Sequence, residues 1–279
     1  MIMKKILVGS GIIMMTTGLF AQEAADKNVQ AGIVLGGGLA MQKMGTNYMQ
    51  TNGVGTDLTI GANVNFSLTE TIAFSTGLEF DFENLKYKAA GYNDNNLYYW
   101  YNDKEILPIG DVDVSNSNHN LFELQERSHK AMFLTIPTMM VFRTNFIGYM
   151  RYFGKFGLRN SFLLSNTITD SGFNLDPNVP LGAKTAATNE DMKASGEMFF
   201  FKSAVGLAAG AEWNFSGSTS LVAEIGYYYG FTPLHSNRNT SKGKNFMYAS
   251  PLDNGVGNDT QFNNKATQSQ LQLKVSILF

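Results

Sequence analysis

"VGTDLTIGANVNFSL", residues 54–68, alternates without a break. Val54, Thr56, Leu58, Ile60, Ala62, Val64, Phe66 and Leu68 fall on one face. Gly55, Asp57, Thr59, Gly61, Asn63, Asn65 and Ser67 fall on the other. Strict period two marks a strand whose two faces meet different surroundings, and fifteen residues make it a long one.

The pattern recurs along the chain. At 72–83, Ile72, Phe74, Leu78, Phe80 and Phe82 oppose Ser75, Gly77, Glu79, Asp81 and Glu83. At 150–164, Met150, Tyr152, Phe156, Leu158 and Phe162 oppose Arg151, Phe153, Lys155, Gly157, Arg159 and Ser161. Segments 199–215 and 221–231 set Phe199, Phe201, Leu207, Trp213, Phe215, Ile225, Tyr229 and Phe231 against Lys202, Gly206, Glu212, Glu224 and Tyr228. Segment 31–41 is apolar and Gly-rich. Segment 130–142 is apolar on both faces, and Pro137 within it implies a bulge or a local break in pairing. The final stretch, 268–279, closes on "LQLKVSILF", in which Leu278 alone breaks the alternation. That makes eight strands.

The connections sort themselves. Long ones (42–53, 84–129, 165–197, 232–267) alternate strictly with short ones (69–71, 143–148, 216–220). A β-sandwich has no reason to order its loops this way. An up-and-down barrel with long loops on one rim and short turns on the other does. The fold expected is all-β, an eight-stranded antiparallel up-and-down transmembrane β-barrel.

Composition agrees. Among 279 residues there are 28 Gly, 6 Pro and no Cys, with 13% aromatics. Absent cysteines exclude disulfides, thiolate metal sites and a lipoprotein anchor. A net charge of −2 offers nothing to nucleic acid. The N-terminus reads as an export signal: Lys4 and Lys5, an apolar run Ile6–Phe20, and a cleavage point after Ala21. Residues 1–21 are thus read as signal peptide and 22–279 as the barrel domain, with no later transmembrane helix expected.

In a soluble β protein the apolar face turns inward. Here the polar face carries Glu79, Asp81, Glu83, Arg151, Lys155, Arg159, Lys202, Glu212, Glu224 and Lys274. Such charges are expensive on a lipid face and can pair inside a narrow barrel filled by side chains. Arg151 is expected beside Glu212 or Glu224, and Arg159 beside Glu79, Asp81 or Glu83. Phe66, Phe142, Tyr152, Trp213, Phe215 and Phe279 then form one aromatic girdle. Phe80, Phe82, Phe199, Phe201, Tyr229 and Phe231 form the other. Both termini are expected in the periplasm. The ending with Leu273, Val275, Ile277 and Phe279 on one face resembles the C-terminal signal read by the barrel-assembly machinery.

"FLTIPTMMVFR" (133–143) followed by "GYMRYFGKFGLRNSFLLS" resembles the middle of the small outer-membrane β-barrel family that includes the PorT proteins. "LTETIAFSTGLEF" (68–80) and "AAGAEWNFSGSTSLVAEIGYYYGFTPL" (208–234) resemble its turn-strand patterns. Many members carry an acidic residue two before the proline, where this chain has Thr135. The resemblance implies the barrel fold, residence in the cell outer membrane and, through PorT, a link to protein secretion.

Chemistry is sparse. His119, His129 and His235 invite a rim hydrolase only if an acid and a Ser join them in space. "DVDVSNSN" (111–118) lacks the Gly and closing Glu of an EF-hand loop. "GGG" (36–38) has no helix after it to make a phosphate cradle. Tyr98, Tyr99, Trp100 and Tyr101 form an aromatic run that serves either as a contact for an envelope protein or glycan, or as a plug over the barrel mouth. The expectation is a non-enzymatic protein without cofactor, embedded in outer-membrane lipid. Its expected role is structural, accessory or loop-mediated binding, with a link to an envelope or secretion assembly. A small-solute pore and the rim hydrolase are the alternatives.

Overall fold

A computed structural model describes residues 28–176, 184–216, 219–235, 245–252 and 255–279. The expected signal peptide (1–21) and the side chain of Phe215 lie outside them. In chain order the strands are β1 (Val29–Met44), β2 (Met49–Thr51), β3 (Gly55–Ser67), β4 (Ile72–Ala89), β5 (Asn96–Asn102), β6 (Glu105–Leu107) and β7 (Asn120–Arg143). They continue with β8 (Met150–Leu175), β9 (Thr185–Met192), β10 (Phe201–Ser216), β11 (Thr219–Gly230), β12 (Tyr248–Ser250), β13 (Thr260–Gln261) and β14 (Ala266–Leu278).

Eight of these close a ring, β1–β3–β4–β7–β8–β10–β11–β14–β1, antiparallel at every step. The last strand pairs with the first from Gly32↔Leu278 to Met44↔Ala266. The Phe279 N–H adds a bond to the Ala31 carbonyl at 2.8 Å. No edge remains in the ring, as a lipid environment requires.

The apolar faces point outward. Ile33, Leu35, Leu58, Ile60, Leu78, Phe156, Leu207, Ile225, Leu273 and Val275 are all exposed. A continuous belt of this size is foreign to a monomer in water and natural to one in lipid. Every described member of the two expected aromatic girdles is exposed as well.

Strand β4 marks where the belt ends. From Glu79 to Glu83 its inward residues are acidic (Glu79, Asp81, Glu83) and its outward ones aromatic (Phe80, Phe82). Beyond, Leu85 and Tyr87 turn inward and are fully buried, while Asn84, Lys86 and Lys88 turn outward. The register to β7 runs through this point unshifted. Amphipathicity inverts because the medium outside changes from lipid to water.

The strands therefore outrun the barrel. β4, β7 and β8 extend past the predicted ends at 83, 130 and 164, and β2, β5, β6, β9, β12 and β13 pair onto this extension. A distal cap results, with a core that includes Tyr87, Leu97, Tyr99, Ile106, Phe122, Leu124, Ile168, Met192 and Phe246. The segments read as loops at 84–129 and 165–197 are thus largely sheet. Broken alternation hid them: Leu121, Phe122, Glu123 and Leu124 are buried consecutively, and a bulge follows between Leu124 and Glu126.

Two local expectations are resolved. At Pro137 the β4–β7 pairing lapses between Thr76↔Thr138 and Glu79↔Thr135 without a register shift, so proline interrupts the ladder rather than bulging it. In "GGG", a Cβ on Gly36 would stand 2.9 Å from Lys274 Cγ, and one on Gly38 3.0 Å from Gln272 Cγ. These glycines make room for inward side chains.

One consequence is measurable. Leu35→Arg, in the belt opposite Ile60 and Val275, should destabilise the detergent-refolded barrel by about 2–4 kcal/mol. Glu126→Arg, outward but on the cap, should change stability by less than about 1 kcal/mol. Denaturant titration checks both.

Candidate functional site

The lumen is filled by charge. Alternation turns one residue in two of each barrel strand inward, and all ten charged residues named from the sequence lie there within salt-bridge distance of a partner. Arg151 and Glu212 are cross-strand neighbours on β8 and β10, 2.6 Å apart. The other pairs reach across the lumen. Arg159 on β8 bonds Glu79 at 2.8 Å and Asp81 at 2.9 Å on β4. Lys274 bonds Glu79 at 2.8 Å, Lys202 bonds Glu83 at 2.5 Å, and Lys155 bonds Glu224 at 2.5 Å. The pairs run in layers from one end of the barrel to the other.

Neutral groups complete the network. Thr135 Oγ1 donates to Asp81 Oδ2 at 2.5 Å and Thr59 Oγ1 to Asp81 Oδ1 at 2.6 Å. Gln268 and Gln270 donate to Glu83 at 3.0 and 2.8 Å, and Gln272 donates to Asp57 and accepts from Arg159. Tyr228 lies under the Arg159 guanidinium, 4.8 Å from carbon to ring centroid. Its ring occupies the space a side chain at Gly206 would need, since a Cβ there would meet Tyr228 Cδ1 at 2.2 Å. Asp57 stood on the polar face of the first stretch, so its place was readable. Tyr228 likewise stood on the polar face of its segment, but nothing in the sequence tied it or the three glutamines to particular charges.

A polar vestibule of about 480 Å³, lined by Gln30, Arg143, Arg151 and Glu212 among others, opens at the end where β1 starts; deeper in, little space is left. A cavity of about 20 Å³ beside Arg159, Lys202, Gln268 and Gln270 has room for a water or two. At the end where β1 starts and β14 finishes, Ala73, Val141, Phe153, Val222 and Leu278 form an apolar plug. Leu278, which broke the terminal alternation, faces inward into it, while Leu273, Val275, Ile277 and Phe279 face out. At the opposite end Leu85, Phe133, Met198 and Leu234 close the mouth beneath the cap.

The aromatic run packs inside the cap. Tyr98, Tyr99 and Trp100 are buried and Tyr101 is half-buried. Tyr98 stacks on Tyr248 and donates to the Leu252 carbonyl at 2.8 Å. Its role as an exposed partner contact gives way to packing, because β5 is covered by β7 on one edge and by β6 and β12 on the other. In "DVDVSNSN", Asp113 accepts from the Ser115 N–H and hydroxyl at 3.0 and 2.6 Å, an ordinary turn. These bonds hold its carboxyl below the usual range.

The histidines separate. His119 accepts from the Asp113 N–H at 3.1 Å in that turn. His129 and His235 meet between barrel and cap, ring centroids 5.4 Å apart. With them lies a buried set that the sequence reading missed. Arg127 forms a two-pronged pair with Asp170 (Nε–Oδ1 and Nη2–Oδ2 both 2.7 Å) and bonds Glu197 through Nη1 at 3.0 Å. These acids lie in segments read as loops, which is why no spacing pointed to them. Burial holds the His129 imidazole down to about 3 and lowers that of His235 too. Neither histidine hydrogen-bonds a serine among the described residues.

The model of the outer membrane protein beta-barrel domain family matches residues 20–236. The chain belongs to that family. The outer-membrane lipid bilayer is therefore the medium its apolar belt meets. Similar solved structures include Neisserial surface protein A (9% identity, TM-score 0.34, 91% of this chain and 98% of that one). Others are OprG from Pseudomonas aeruginosa (8%, 0.38, 92% and 99%) and the outer membrane protease OmpT from Escherichia coli (11%, 0.31, 91% and 96%). No curated protein sequence matches the chain. In a lumen filled this way, each buried charge depends on its partner. Arg159→Met, which leaves Asp81 and Glu79 short of their shared cation, should cost about 3–5 kcal/mol, read as a lowered denaturation midpoint of the refolded protein.

Proposed function

We propose that this outer-membrane barrel is a closed scaffold acting through its distal cap, in a structural, accessory or binding role at the cell envelope. The cap faces outside and both termini face the periplasm. The carrying observation is a lumen occupied by paired charges and closed by apolar plugs at both ends. A solute has no path through such an interior, since moving it would break buried pairs. The cap presents the polar segment 111–119, whose Asp111, Asp113, Val114, Ser117 and Asn118 are exposed. This segment, not the aromatic run, is the surface offered to an envelope protein or glycan. A link to a secretion assembly rests on the resemblance to the PorT family alone. Recognition of Leu273, Val275, Ile277 and Phe279 by the assembly machinery fits their outward row on the closing strand.

The pore and hydrolase readings find less support. The vestibule of about 480 Å³ at one mouth is no conduit by itself, since beyond the apolar plug the space beside Arg159 shrinks to about 20 Å³. His129 and His235 are sealed from solvent, with no serine bonded to either among the described residues.

Planar-bilayer recordings of the refolded protein decide between scaffold and pore. The expected trace is free of stable unit conductance. Steady openings that charge reversal at Arg159 abolishes would overturn the scaffold reading. Shortening 111–119 to a tight turn should leave the cold-SDS mobility shift of the folded barrel intact while removing its envelope role in complemented cells.

A further inference from the structure

Buried His235 does not behave as a core histidine does. A core imidazole in a protein interior has its polar atoms bonded. His235 is fully buried, yet neither ring nitrogen finds a hydrogen-bond partner among the described residues. Its ring packs against His129 and lies perpendicular to the ring of Tyr87. One donor atom from each of His129, His235 and Glu197 lies within 4.8 Å of the others. We propose that these three side chains form a structural site for a divalent transition-metal ion of the zinc type.

The chemistry of the set supports this. Two imidazoles and a carboxylate are a common zinc donor set. Zinc holds donors at about 2.0–2.2 Å, so binding draws the three inward from their present spread. The imidazoles must be neutral to ligate, and burial keeps both so at neutral pH. His129 is already oriented. Its Nδ1 lies 3.1 Å from Asn166 Oδ1, which as an acceptor fixes the proton there and leaves the lone pair on Nε2. Tyr87 Oη lies 3.4 Å from that Nε2. Glu197 is held by Arg127 through both carboxylate oxygens, at 3.0 and 3.2 Å. With neutral imidazoles, Arg127, Asp170 and Glu197 sum to one negative charge, so the cluster accepts a cation.

The site would join three segments far apart in sequence. His129 is on β7, Glu197 lies between β9 and β10, and His235 follows β11. In a chain without cysteine, a metal here would fasten the cap to the barrel where other proteins use a disulfide.

The test uses the full, untagged chain refolded in detergent and stripped with chelator. Titrated Co²⁺ should give visible d–d absorption of a low-coordinate site, saturating at one equivalent and erased by Zn²⁺. His235→Ala and His129→Ala should abolish the signal, and Glu197→Gln should weaken binding by about tenfold or more. His119→Ala should leave it unchanged. The cold-SDS mobility shift reports whether each variant folds, and His235→Gln, close in size and polarity, stands in should the alanine variant not. Zn²⁺ should also slow proteolysis of the wild-type cap and leave that of the His235 variant unchanged. Wild-type protein that binds no equivalent of Co²⁺, or a folded His235 variant that binds as the wild type does, would overturn the proposal.

Discussion

Backbone hydrogen bonding without water is the condition on which the rest of this structure depends. Within hydrocarbon each unpaired N–H or carbonyl costs several kcal/mol, so the sheet must close. Closure falls to the pairing of β1 with β14, the first and last strands of the ring. The ring cannot form until both are present. Eight strands then fix a narrow bore, and a narrow bore is filled by side chains.

Filling the bore with charge follows from the same constraint. Lipid takes the apolar half of each strand, and the polar half is left to face itself. Isolated, a buried charge would be untenable. Shared between Arg159, Lys274, Glu79, Asp81 and their glutamine and threonine neighbours, the charges satisfy one another. Tyr228 and the missing side chain at Gly206 let the guanidinium lie flat against a ring. Where lipid ends the logic inverts, and Leu85 and Tyr87 take over from Asp81 and Glu83 on the inner face of the same strand.

What the sequence made legible was whatever the lipid boundary controls. Residues 54–68 and 72–83 alternate because one neighbour is hydrocarbon and the other is a polar lumen. That contrast also marked the ten inward charges, the girdles and the closing strand. The cap was opaque for the opposite reason. Around Leu121–Leu124 both faces are covered by protein, and the bulge at Leu124/Glu126 resets the phase. Arg127 and Asp170 meet as ladder partners of β7 and β8, and Glu197 and His235 join them and His129 from connections outside the barrel strands. The aromatic run 98–101 was visible as a cluster, but composition alone does not say whether such a cluster faces solvent or a core.

The β7–β8 hairpin carries one more implication. Its two strands run 24 and 26 residues and pair from Leu121↔Leu175 down to Arg143↔Phe153. At about 3.3 Å per residue that is roughly 80 Å of ribbon, well beyond what a tilted crossing of a ~25 Å apolar band consumes. The surplus is a hydrogen-bonded beam continuous with the wall of the barrel. Its tip is held at a set height and azimuth above the headgroups, so load applied there passes into the membrane-embedded wall instead of being absorbed by a hinge.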